Sequence, residues 1–163
     1  GEKQFPTFFA TCDRLLAPGG RACIQTITVP EQKYARYRRE NDWIREYIFP
    51  GALIPSFEAM LSAVAEASRF AVVNAEEIGA GYAPTLASWR QRFLARLDDV
   101  RALGFGDQFI RAWDYYLAFC EAGFREGLLL DYQVLLARAD EEREPRAARS
   151  LSATSAKATP VHS

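Results

Sequence analysis

Apolar residues recur at Phe5, Phe8, Phe9, Cys12, Leu15 and Leu16, a three-and-four spacing that predicts an amphipathic helix over 5–16 with Pro6 in its first turn. Ala17-Pro18-Gly19-Gly20 stops it, and 21–28 (RACIQTIT), rich in β-branched residues and followed by Pro30, predicts a strand. A polar helical stretch over 31–47 comes next, and then YIFPGALIPS at 47–56, whose two prolines forbid a continuous helix and mark an insertion. Ser56 is placed to cap a helix running to Ser68, and 70–78 (FAVVNAEEI) predicts a second strand ended by Gly79-Ala80-Gly81. Leu86, Trp89, Phe93, Leu97 and Val100 form one helical stripe. After Gly104-Phe105-Gly106 a second stripe runs Phe109, Trp113, Tyr116, Leu117, Cys120 and Phe124, so two long packed helices are expected. The run LLLDYQVLLAR at 128–138 is too apolar for a surface and short enough for a central strand. From Ala139 on, charge, Ser, Thr, Ala and Pro dominate without periodicity, which predicts a disordered tail over 139–163.

Composition narrows the function. With 49% hydrophobic and 13% aromatic residues in 163, there is material for one globular domain. Twenty basic and 21 acidic residues leave a net charge of -1, so no global field draws the chain to nucleic acid. Cys12, Cys23 and Cys120 lie far apart with no C-x-x-C spacing, which fits neither a zinc site nor a disulfide framework and suits a reducing cytoplasm. The single histidine, His162, sits in the polar tail, which removes Ser-His-Asp triads, Cys-His pairs and histidine metal sites. No apolar run approaches the roughly 20 residues that cross a bilayer, so a soluble or peripheral protein is expected. Three strands alone make a thin sheet, yet all three read as fully buried. The expectation is a truncated product whose missing strands precede Gly1.

Four segments, FFATCDRLLAPGGRACIQTIT, YIFPGALIPSFEAM, IGAGYAPTLASWRQRF and FIRAWDYYLAFCEAGFREGLLLDYQVLLAR, resemble the carboxy-terminal half of the cyclopropane-fatty-acyl-phospholipid synthase and mycolic-acid cyclopropane synthase family. The likeness covers Gly1 to about Arg138. It implies an α/β fold: the carboxy-terminal part, 1–138, of a class I S-adenosylmethionine methyltransferase, doubly wound, with helical insertions. This part would hold the last three strands, with 128–138 inserted antiparallel between 21–28 and 70–78. The cofactor-binding residues are expected upstream of Gly1, because no glycine-rich loop after a first strand is present. The implied activity is methyl transfer to a cis double bond of a phospholipid acyl chain, with loss of a proton and closure of a cyclopropane ring. A methyl-branched product, or a module that binds lipid or a partner without chemistry, are the alternatives.

The resemblance also assigns residues. Gln25, at a position the family often fills with His, Ile27 through its backbone, and Tyr82 would hold bicarbonate as the base. On its own, Gln25 reads as a buried, paired structural amide and Tyr82 as a loop residue covering core. Tyr116 and Cys120, four apart on one helical face with Trp113, would flank the reacting acyl chain, and Phe49 and Tyr47 would line the same channel; spacing alone reads as core packing. Aromatic faces suit a carbocation because the ring quadrupole stabilises it without trapping it. Lys33, Arg36, Arg38 and Arg39 form a basic cluster that anionic headgroups would attract by roughly 1 kcal/mol per residue. The cluster reads either as a solvated helix face or as a site of transient contact with the inner face of the membrane, and the open sheet edge implies aggregation or self-pairing as a homodimer.

Overall fold

The first helix, α1 (Phe5–Leu15), begins with proline at its start and ends before a turn in which Gly19 takes a positive φ of 68°. Strand β1 (Arg21–Thr28) follows. A computed structural model describes residues 1–139. The tail expected over 139–163 lies, from residue 140 on, outside the described residues.

The stretch 31–47 is not one helix. α2 (Glu31–Tyr37) stops early, and a π-helical turn, Ile44–Ile48, starts afresh. Asn41-Asp42 explains the break: the Asp42 carboxylate accepts from the Arg45 N–H at 2.8 Å, a local bond that competes with helix continuation. Arg45 then donates to the carbonyls of Tyr37 at 3.1 Å and Ala52 at 3.0 Å, which ties the insertion together. Ser56 caps α3 (Phe57–Ala67) by accepting from the Ala59 N–H at 3.2 Å, and Ser68 closes it.

β2 (Phe70–Glu77) leads through the turn Gly79–Gly81 into α4 (Tyr82–Leu94). The first long stripe is broken too: α5 (Leu97–Ala102) starts anew after Arg96, with Asp98 and Asp99 in its first turn, where acidic residues complement the helix N-terminus. α6 (Asp107–Arg125) is the second stripe intact, packed on α4 and pinned by the Arg90–Asp114 ion pair at 2.6 Å.

Strand β3 (Leu130–Arg138) lies between β1 and β2 and is antiparallel to both. β1 and β2 therefore run the same way. Only β3 is buried throughout most of its length, with Val134 and Leu136 almost without exposed surface. The expectation of three fully buried strands is corrected here. β1 alternates exposed and half-buried positions, and β2 is exposed over Asn74 and its last residues, because each has a neighbour on one side only. One core packs α1 and α3 on the sheet through Phe9, Met60, Val64, Phe70 and Leu136; a second lies between α4 and α6 around Leu86, Leu117 and Phe124.

α1 is fastened to the sheet by charge. Asp13 meets Arg138 at 2.8 Å and Arg69 at 2.9 Å, and Arg138 also donates to the carbonyls of Leu16 at 2.7 Å and Ala17 at 3.3 Å, serving the orphan acceptors at the helix end. Arg69 is largely exposed and Arg138 is buried, so the second pair carries most of the unscreened interaction. The hydrogen bonds from Arg69 and Arg138 outweigh burial and hold the Asp13 carboxyl well below the usual carboxylate range. A depressed acid stabilises the fold above its unfolded pKa and loses that contribution as pH falls through the folded one. Stability should therefore hold from neutrality to about pH 4 and drop below it. Asp13→Asn should cost about 3 kcal/mol at pH 7 by urea denaturation, since it strands a buried guanidinium, and should flatten the acid limb. Unchanged stability at pH 7 would refute the role given to this pair.

Candidate active site

At the carboxyl ends of β1 and β2, which adjoin the start of β3, side chains from both outer strands and from α4 converge. In the β1–β3 register Gln25 lies opposite Gln133 and Ile27 opposite Asp131, so Gln25, Ile27 and Asp131 share one face. The Gln25 amide Nε2 donates to Asp131 Oδ2 at 2.7 Å and to the Tyr82 hydroxyl oxygen. Tyr82 opens α4 and arrives from the other side, its ring stacked on Phe124 with centroids 5.1 Å apart.

The turn behind Tyr82 is equally specific. The Glu77 Oε1 atom accepts from the Gly79 N–H at 2.7 Å and from the Asp131 N–H at 3.2 Å, and the Ile78 N–H donates to the Asp131 carbonyl at 2.7 Å. A Cβ on Gly79 would collide with the Glu77 carboxylate and lie 3.1 Å from the Asp131 nitrogen, so a side chain there would push Glu77 off its two backbone bonds.

Asp131 has no exposed surface, and its Oδ1 atom has no hydrogen-bond partner. Burial pushes its carboxyl above the usual carboxylate range, with nearby Glu77 adding to the effect while hydrogen bonds from Gln25 and Tyr82 oppose it. These groups line an open groove of about 660 Å³, whose remaining wall is mostly apolar and includes Phe5, Phe8, Ile27, Leu53 and Met60. Gln25 itself is exposed rather than buried as the sequence implied, because it lies on an outer strand; Ile27 is 37% exposed. Asp131 was missed by sequence reasoning. Its signal was there, as the one acid inside the apolar run 128–138.

Tyr116 and Cys120 do share a face of α6, and both pack against the cluster that also receives Tyr82. Phe49 comes edge-on to Tyr116 with centroids 5.9 Å apart, and Trp113 does so at 5.3 Å. Phe49, Trp113, Tyr116 and Cys120 thus form one aromatic wall, beside the groove rather than lining it. Tyr47 goes elsewhere: its ring packs on Trp43 at 5.8 Å, and both border a second hollow with Phe109 and Tyr115. The basic cluster is largely spoken for, with Arg36 on Glu40, Arg38 on Glu2 and Arg39 on the Ala35 carbonyl.

The wall offers no strong nucleophile. Burial pushes the Tyr116 phenol up to about 12, with Cys120 adding to the shift. Burial also pushes the Cys120 thiol up to about 11, against the hydrogen bond from Tyr116. Near pH 7 the thiol is neutral and slow to react.

The family described as mycolic acid cyclopropane synthetase matches residues 1–134. The chain belongs to that family. Among related synthases and methyltransferases, tuberculostearic acid methyltransferase UfaA1 of Mycobacterium tuberculosis is 41% identical over 138 residues, which is 85% of this chain and 32% of that protein. Cyclopropane-fatty-acyl-phospholipid synthase of Escherichia coli K12 is 32% identical over 86% of this chain and 35% of its own length. The cyclopropane synthetase fold is matched by a solved structure of mycolic acid cyclopropane synthase CmaA1 complexed with SAH and CTAB, with a TM-score of 0.73 and 26% identity over 83% of this chain and 50% of that one. Cyclopropane synthase MmaA2 from Mycobacterium tuberculosis, at 24% identity and a TM-score of 0.73, shares the fold. The chain spans about a third of the length of the curated relatives it matches. The fold expected from the sequence, the carboxy-terminal part of the methyltransferase fold of the cyclopropane synthases, is thereby established over half of those chains, with β3 antiparallel between its neighbours.

The cysteines provide a direct check on the wall. Cys23 is exposed and Cys120 is not, so iodoacetamide at pH 8 should modify Cys23 first and reach Cys120 only near pH 11 or on unfolding. Equal labelling of the two, mapped by peptide mass, would contradict a closed wall.

Proposed function

We propose that the protein carrying this chain alkylates a cis double bond in a lipid acyl chain, using S-adenosylmethionine as methyl donor. The observation that carries the reading is the meeting of Gln25, Tyr82 and Asp131 at the mouth of an apolar groove, beside the wall of Tyr116, Trp113 and Phe49. Membership of a family of S-adenosylmethionine-dependent lipid methyltransferases supports it.

When bound, S-adenosylmethionine supplies an electrophilic methyl group. β2 runs through Gly79-Ala80-Gly81 into α4, but Pro84 stands where a dinucleotide-type loop has its third glycine; the cofactor site is expected in the part of the family's length that this chain does not span. The residues here serve the acceptor side. Apolar side chains of the groove take up the acyl chain, and the aromatic wall beside it would stabilise the cation left on the lipid after methylation where the chain extends past Tyr82 towards that wall, offering ring faces and a neutral thiol. A proton is then lost to an acceptor between Gln25, Ile27 and Tyr82. Bicarbonate, bonded by these groups, is the acceptor that the resemblance implies. A desolvated weak base suffices because a carbocation is strongly acidic and position counts for more than basicity.

Two products fit this step. Ring closure on a phospholipid chain gives a cyclopropane, as the name of the Escherichia coli relative indicates for that enzyme. A methylene-bearing chain, which a separate reductant would convert to a methyl branch, is favoured by the higher identity to the tuberculostearic acid methyltransferase. No helix among the described residues is long and apolar enough to cross a membrane, so access to lipid would be by transient surface contact, with Lys33, Arg36, Arg38 and Arg39 nearest the insertion. The open edges of β1 and β2 would pair in a homodimer or be covered by another part of the protein.

Expression of the full-length protein in a host rich in unsaturated phospholipid should add one methylene unit to acyl chains and consume the original cis double bond. A ring and a methylene-bearing chain are then separated by ozonolysis, which cleaves the methylene group and leaves the ring intact. Soluble protein with unchanged lipids would defeat the reading. Tyr82→Phe should lower turnover about a hundredfold with little change in stability, as expected for loss of a proton-transfer group, and full activity in that variant would remove Tyr82 from the chemistry.

A further inference from the structure

We propose that the second hollow, between the π-helical turn and α6, holds the phosphate-bearing end of a phospholipid, with Arg111 on the phosphate and the rings of Trp43, Tyr47, Phe109 and Tyr115 against the adjoining glycerol and first methylenes. The inference rests on the alkylation reading above and deepens it by giving the head of the substrate a place.

The hollow has a volume of about 780 Å³, and its wall is mostly aromatic. Tyr47 and Tyr115 leave 64% and 50% of their surface exposed, and the Trp43 ring stands edge-on to Tyr115 with centroids 4.8 Å apart. Exposed rings gathered in one patch mark a binding surface, because covering them removes apolar area from water. Among the described residues no carboxylate lines the hollow, and Arg111 is the one charged side chain in its wall.

Charge selects the occupant. Along 82–125, Arg90, Arg96, Arg101 and Arg125 each face a carboxylate, and Arg92 donates to the Ser88 hydroxyl at 2.8 Å. Arg111 is exposed and has no ion pair or hydrogen bond among the described residues. A free guanidinium, with the Gln108 amide on the same rim, presents the planar pair of donors that suits a phosphate. Inorganic phosphate gains nothing from the rings, whereas a phospholipid carries apolar carbon beside its phosphate. A second copy packed on this patch would bury two unpaired guanidiniums at one interface.

The hollow also connects to the wall. Phe109 meets Trp113 with centroids 5.6 Å apart and Trp113 meets Tyr116 at 5.3 Å, so rings follow one another along α6 from the hollow to the wall. Arg111 and Cys120 are about two and a half turns apart, roughly 13 Å along the helix axis. A lipid held by its phosphate at Arg111 thus brings the interior of its acyl chain to the wall, rather than its ester.

The test is calorimetric binding of dihexanoylphosphatidylcholine, kept monomeric, to the full-length protein. Arg111→Gln changes an exposed, unpaired side chain and should leave the thermal transition in place while weakening binding about tenfold. Tyr115→Ser should weaken it about threefold or more, and Arg111→Lys should recover part of the affinity. Replacing Lys33 and Arg36 by Gln should change nothing, which separates this site from a general basic surface. Absence of binding in the wild type overturns the proposal, as does unchanged binding in Arg111→Gln. Competition by inorganic phosphate as tight as the lipid itself would mark a phosphate site only, and a dimer that Tyr115→Ser splits would mark a second copy as the occupant; either result overturns it. If Arg111→Gln does not fold, Arg111→Lys and Tyr115→Ser decide together. Arg111-dependent binding without alkylated product defeats the alkylation reading and leaves this site standing.

Discussion

A carboxylate buried in the central strand of a sheet has to collect its hydrogen bonds from neighbours, and Asp131 imposes that requirement on everything around it. The amide of Gln25 on β1 answers one oxygen, and Glu77 on β2 holds the Asp131 backbone N–H. The same Glu77 fixes the turn at Gly79, where a side chain would displace its carboxylate, and that turn leads into Tyr82, whose hydroxyl meets the Gln25 amide. Three consecutive structural facts therefore have one cause. Its Oδ1 atom is left without a hydrogen-bond partner.

The far end of the same strand shows the contrast. Arg138 is nearly as deeply buried, but it meets Asp13 and the carbonyls that close α1, and its partner's acid is held ionised. Such a pair anchors a helix to a sheet and has no reason to titrate near neutrality. One strand thus carries a fully answered charge at its carboxyl end and an incompletely answered one at its amino end. The second lies where open α/β sheets present their ligand sites.

Much of this was legible in the chain. Helical spacing located α1, α3 and α6, and the apolar run around Val134 announced a strand with neighbours on both sides. Gln25 and Tyr82, 57 residues apart, were assigned to one site by resemblance, and they do meet. What escaped was decided by tertiary context. Apolar β-branched residues in β1 read as buried, yet a strand with one neighbour leaves alternate positions open. The breaks after Tyr37 and at Arg96 come from local side-chain bonds and first-turn charges that a hydrophobic pattern does not weigh. Asp131 was hidden by its surroundings, since periodicity averages away one acid among leucines.

Common to either lipid product is a proton acceptor placed beside the newly added carbon, and isotope content tests that most directly. Full-length enzyme supplied with a methyl donor whose methyl is fully deuterated should yield lipid carrying two deuterium atoms at that carbon, whether the product is a ring or a methylene later reduced to a branch. Lipid that keeps all three would mean that no proton leaves the added methyl, and a base held by Gln25, Ile27 and Tyr82 would then have nothing to do.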